Sequence, residues 1–173
     1  MTRFPSRRLL LGLLVVSAVG GLAPTSCEIP QGVYGLTADS RFTRGCFPPL
    51  ACPVLIGQGI GGTFVVTKAP FSTASLYQAY LVTDVHWLTR IGGEDVPIVG
   101  SGVYLRGGKA GLMQRLELDL QVGDDPVQHF DSGLVAIDEV TPGIDVTISI
   151  YGEQYFDTVI DVHAIPFPPQ PKP

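Results

Sequence analysis

Leu112-Met113-Gln114-Arg115-Leu116-Glu117-Leu118-Asp119-Leu120-Gln121-Val122 alternates strictly from Leu116 onward. Leu116, Leu118, Leu120 and Val122 leave the backbone on one side, and Glu117, Asp119 and Gln121 on the other. A period of two is that of a strand with one dry and one wet face, because successive strand side chains point in opposite directions. An amphipathic helix would place Leu116 and Leu118 on different sides. The stretch is read as a strand whose leucine face must be covered by other strands.

Working outward, the neighbours on both sides carry the same signal. Gly61–Lys68 reads as a strand ended by Ala69-Pro70, and Leu76–Thr89 is rich in β-formers. In the latter, Tyr77, Ala79, Leu81, Val85 and Trp87 are expected to share one face, with Gln78, Asp84 and His86 on the other. Ile98–Leu105 follows, with Gly100 and Gly102 in phase with Ile98 and Tyr104. Glycines inside a strand mark a bend or the close approach of a neighbour, and Trp87 is the bulky group expected to fill the gap. Beyond the central strand come Val127–Ile137, interrupted at Gly133, then Ile144–Ile150 and Tyr155–Ala164. Seven strands joined mostly by short turns imply sequential antiparallel pairing, since parallel crossovers need a dozen or more residues. The expected fold is all-β, an antiparallel meander of about seven strands closing as a small β-barrel, with a two-sheet β-sandwich as the alternative.

Hydrophobic residues make up 45% of the 173, which is too many for a disordered chain, and the 21 Gly and 15 Pro between apolar runs suit turn-rich β structure. Four segments follow. Residues 1–26 are an export signal: Arg3, Arg7 and Arg8 precede an apolar run from Leu9 to Gly21 that is too short to span a bilayer. Adjacent Arg7 and Arg8 fit an ordinary secretory leader, and also resemble a twin-arginine signal. Residues 27–58 form an irregular, Cys-containing N-terminal arm, residues 59–165 the β domain, and residues 166–173 a Pro-rich tail.

Three cysteines are an odd number for an oxidising compartment. One solution pairs Cys46 with Cys52 and leaves Cys27 as the first mature residue carrying a lipid; the other pairs Cys27 with one of them. The net charge of −5 includes leader arginines, and from Glu28 onward eight Lys and Arg stand against sixteen Asp and Glu, a balance of −8. Without a cluster of cations to neutralise phosphates, nucleic acid is excluded as a partner.

Every histidine lies two residues from an aspartate: Asp84 and His86, His129 and Asp131, Asp161 and His163. On a strand, that spacing puts both groups on one face, so the six are the candidate metal ligands. Neither the spacing nor the placement of the pairs on non-adjacent strands favours convergence on one ion. Ser132 beside His129 and Asp131 makes no catalytic triad, because the three share one strand. Acidic pairs such as Asp124-Asp125 sit in turns, and no phosphate-cradling motif precedes a helix. No catalytic residue and no cofactor are expected. The function expected is that of a non-enzymatic structural or binding β module of a bacterial envelope, periplasmic or extracellular, meeting the membrane only through a lipid on Cys27. Its partner is another envelope component or a small ligand. The alternatives are a β-barrel that carries a small apolar ligand, and a metal-binding protein using the surface His and Asp pairs.

Overall fold

The computed structural model describes residues 28–46, 55–70, 76–137, 142–150 and 156–167. These form ten strands, β1 (Gly32–Leu36), β2 (Arg41–Cys46), β3 (Leu55–Lys68), β4 (Tyr77–Ile91), β5 (Glu94–Gly107), β6 (Met113–Val122), β7 (Gln128–Asp131), β8 (Val135–Ala136), β9 (Ile144–Ser149) and β10 (Phe156–Pro166). There is no helix among the described residues. All pairings are antiparallel. The seven strands expected from the sequence correspond to β3 through β10, with the break at Gly133 separating β7 from β8. Gly133 has φ +63, a left-handed conformation that glycine adopts without steric cost.

Hydrogen bonds run in a ring through eight strands, β2-β3-β4-β5-β6-β7-β9-β10, and β10 returns to β2. The all-β, antiparallel and closed character expected from the alternation is therefore present. The ring is not a regular barrel. Its thinnest joint lies between β7 and β9, where Asp131 and Ser149 form the pairing between the two strands.

The N-terminal arm differs most from its reading. The described part of residues 27–58 supplies β1, β2 and the first residues of β3. β1 and β2 run as two pieces of one lane between β10 and β3. They lack an alternating signature because each is short and sends in one large group, Tyr34 and Phe42, both fully buried. Ladder bonds from both flanks hold them instead. Between the pieces, buried Ser40 patches the lane: its Oγ donates to the His163 carbonyl at 3.0 Å and accepts from the His163 N–H at 3.1 Å. Residues 1–26, Cys27 and Cys52 lie outside the described residues, and with them the expected export signal, lipid site and Cys46–Cys52 bond. At the other end, Pro166 is not tail: it pairs with Tyr34 at the end of β10, where a missing N–H is tolerated.

The core fills the inside of the ring. Leu116, Leu118, Leu120 and Val122 of β6 are all at most 3% exposed, as the alternation requires. Ile144, Val146 and Ile148 of β9 and Ile160 and Val162 of β10 face them, with Phe42, Phe64, Phe130 and Trp87 occupying the middle. The Phe64 and Trp87 rings meet edge to face with centroids 5.9 Å apart.

One face assignment is corrected. In β4 the register shifts between Val82 and Val85, and Asp84 takes φ 51 in the resulting bulge. A bulge adds a residue and resets the alternation. Tyr80 and Val82 point in before it and Val85, Trp87 and Thr89 after it, so Leu81 is left outside. A second correction concerns the paired glycines. Trp87 stands opposite Ile98, and the group that crowds Gly100 and Gly102 is β6 itself. A Cβ on Gly102 would fall 1.9 Å from the Glu117 carbonyl oxygen and 2.8 Å from Leu118 Cα. These glycines let β5 and β6 coil tightly, as a closing sheet requires.

Gly102→Ala is therefore expected to cost about 1–3 kcal/mol, the range for overpacking a close contact, read as a lowered thermal midpoint. Gly61→Ala, whose Cβ meets nothing within 4 Å, is expected to leave the midpoint nearly unchanged. Equal midpoints for the two variants would show that the close approach of β5 and β6 is not maintained in solution.

Candidate functional site

One end of the ring is polar. Tyr34, Tyr80 and Tyr104 reach it from β1, β4 and β5, and Arg106 and Gln114 complete the group at the ends of β5 and β6. Their positions follow from the strand period: Arg106 is in phase with inward Tyr104, and Gln114 with inward Leu116. All five are at most 4% exposed. Burying polar groups costs least when they are hydrogen-bonded, and a directional chain links these side chains. Arg106 Nη1 lies 3.5 Å from the Tyr104 hydroxyl, which donates to Gln114 Oε1 at 3.0 Å. Gln114 Nε2 in turn donates to the Asp145 carbonyl at 2.7 Å, and Arg106 Nη1 also reaches the Gly143 carbonyl at 3.4 Å. Residues 28–31 cross this end: buried Ile29 donates its N–H to the Tyr80 hydroxyl at 3.2 Å, and the Tyr34 hydroxyl donates to Pro30 O at 2.8 Å. Burial pushes the Tyr34 and Tyr104 phenols above their ordinary pKa, with the Arg106 cation pulling the other way. Both remain neutral donors at physiological pH and are unsuited to act as general acids or bases there.

The outer side of the same end carries a cleft of about 450 Å³, a volume within the range of small-molecule sites. Its apolar wall comes from Pro142, Ile144, Ile165 and Pro166, and its polar rim from Thr37, Asp39, Asp145 and His163. The inner polar chain and this cleft share a wall, since the carbonyls held by Arg106 and Gln114 belong to cleft residues Gly143 and Asp145. His163 Nδ1 stands 2.9 Å from Asp145 Oδ1, directly across the β9–β10 ladder.

The histidine and aspartate candidates are arranged differently from their order in sequence. The two His–Asp pairs that form are made across strands, because directly opposed residues come closer than residues two apart on one strand. His129 Nδ1 lies 2.8 Å from Asp119, while Asp131 receives Arg115 Nε at 2.9 Å and Nη2 at 2.6 Å. His163 pairs with Asp145, and Asp161 accepts from Thr147 Oγ1 at 2.7 Å. Asp84 accepts from Thr83 Oγ1 within the bulge, and His86 is outward on β4, opposite Thr63 and Val99. The three histidines thus sit outside on β4, β7 and β10, and among the described residues no three His, Cys, Asp or Glu side chains gather in a metal-sized group. Comparison with protein-family models, with curated proteins and with solved structures gives no match, so the site is read from its own geometry.

The Arg115 fork holds the Asp131 carboxyl below the usual carboxylate range, helped by the Gly133 N–H at 2.7 Å. A carboxyl with a folded pKa below its unfolded value stabilises the fold above the unfolded pKa of about 3.9, and loses that contribution as pH falls through the folded one. Asp131→Asn is expected to remove part of the acid-side slope of stability below about pH 4. Urea denaturation of both proteins across that window checks it, and superimposable slopes would contradict it.

Proposed function

We propose that this chain is an exported, non-enzymatic β module of the bacterial envelope that binds through the cleft at the β9–β10 end of the ring. The observation that carries the reading is the shared wall: buried Arg106 and Gln114 fix the backbone of Gly143 and Asp145 from inside, so the cleft is held open by the fold. Preorganisation of this kind favours binding, because little conformational freedom is lost when a ligand arrives. Catalysis is not supported by the same geometry. Among the described residues, His163 and Asp145 form a titratable pair at the cleft, with Asp39 and the Thr37 hydroxyl on the same rim and no catalytic base–nucleophile hydrogen bond between them. The apolar interior is occupied by Phe42, Phe64, Phe130 and Trp87, which supports binding at the cleft over carriage of an apolar ligand in the lumen.

The chemistry of the lining narrows the ligand class. An apolar floor of prolines and isoleucines flanked by the carboxylates of Asp39 and Asp145 suits a small organic cation with an apolar body. Two probes test it, benzylamine and benzoate, added to isotopically labelled protein and followed by amide chemical shifts. Benzylamine is expected to perturb residues 143–145 and 163–166 in a saturable manner, and benzoate to leave them in place. Perturbation by neither probe, or by both equally, would contradict the reading.

A further inference from the structure

Asp39 and Asp145 both border the cleft, and the fold leaves them in different states. Asp145 lies opposite His163 across the β9–β10 ladder, where His163 Nδ1 stands 2.9 Å from its Oδ1. That carboxylate already has a polar neighbour. Asp39 is exposed, and among the described residues no ion pair or hydrogen bond engages its carboxylate.

The backbone beneath Asp39 is nevertheless fixed. Asp39 belongs to the turn Thr37–Ser40, which the Ser40 N–H closes on the Thr37 carbonyl at 3.1 Å. Three further bonds fasten the turn to the ring. The Thr37 N–H donates to the His163 carbonyl at 2.8 Å, and the Ile60 N–H donates to the Ser40 carbonyl at 3.2 Å. Buried Ser40 Oγ donates to the same His163 carbonyl at 3.0 Å. A carboxylate on a tethered turn loses little freedom when it meets a cation.

We infer, resting on the reading of the cleft as a site for an organic cation, that Asp39 is the residue that selects the ligand, and that it selects an ammonium with N–H donors, a primary or secondary amine. A cation placed at Asp145 instead would stand beside an imidazole that is itself positive whenever it is protonated. At Asp39 it meets oxygens. The carboxylate has two, and Thr37 Oγ1, which accepts the Asp39 N–H at 3.4 Å, keeps a second lone pair. An ammonium N–H directed at a carboxylate makes a charge-assisted hydrogen bond. A quaternary ammonium has no N–H to give and is recognised through the faces of Trp, Tyr or Phe. None of these three is among the described lining residues. With the nitrogen at the Thr37–Ser40 turn, the apolar body of the ligand lies against Pro142, Ile144, Ile165 and Pro166.

Amide-shift titrations of the native chain, Asp39→Asn and Asp145→Asn test the assignment. The probes are benzylamine and benzyltrimethylammonium, which share a body and a charge. Benzylamine is expected to bind Asp39→Asn about fivefold more weakly than the native chain, the scale of an exposed charge pair. Asp145→Asn is expected to change its affinity by less than about twofold. Benzyltrimethylammonium is expected to bind the native chain about fivefold more weakly than benzylamine, and Asp39→Asn to close that gap. A loss of selectivity between the two probes is an effect that a merely structural role for Asp39 would not produce. Thermal midpoints are recorded for each variant by circular dichroism, and Asp39→Ser replaces Asp39→Asn if its midpoint falls. Benzylamine binding kept at native strength in the Asp39 variant, an equal or larger loss in Asp145→Asn, or equal binding of the two probes to the native chain overturns the assignment and leaves the cleft as a cation site. Native protein whose residues 143–145 and 163–166 do not respond to benzylamine overturns the cleft reading, and the assignment with it.

Discussion

Ring closure by β10 is the constraint on which everything else in this protein depends. A sheet with open edges presents unpaired N–H and C=O groups, and closure is the arrangement that removes them. β10 provides it by pairing along six positions with β9 on one side and six with β2 on the other, then continuing beside β1. Without it the leucine face of β6 would lack the opposing wall of Ile160 and Val162, and the inner and outer surfaces would lose their distinction. The chain ends of the described domain are therefore neighbours in space, and its first and last strands are among its most constrained.

That closure is also what creates the cleft. The lane opposite β10 is split at Thr37–Ser40, and the ladder there is completed by the Ser40 hydroxyl and by the Thr37 N–H, which donates to the His163 carbonyl at 2.8 Å. The interruption leaves Thr37 and Asp39 standing beside His163 and Asp145, and these four make the polar rim. In the opposite wall, the carbonyls of Gly143 and Asp145 accept from Arg106 and Gln114. The cleft thus lies where a short irregularity in one lane meets a strand whose backbone is held from beneath by two buried polar side chains.

Much of this was legible wherever a strand has two unlike faces. Leu116–Val122, Ile144–Ile148 and Thr158–Val162 alternate in the sequence because one side is dry and the other wet, and all three point as their pattern says. Arg106 and Gln114 were legible too, as polar residues standing in phase with Tyr104 and Leu116. β1 and β2 were hidden because their stability comes from ladder bonds on both flanks, which leave no trace in a five- or six-residue pattern. The outward turn of Leu81 was hidden by a bulge, whose mark is the backbone of Asp84. The acid partner of each histidine depended on register, which places His129 opposite Asp119 and His163 opposite Asp145.

Hydrogen exchange tests the central claim most directly. If β10 closes the ring, the amides of Val159, Asp161 and Thr43 should exchange only through global unfolding, as slowly as those of Leu118 and Leu120 in β6. Protection confined to β3 through β6, with β1, β2 and β10 exchanging orders of magnitude faster, would mean that the sheet is open in solution and the closure is not formed.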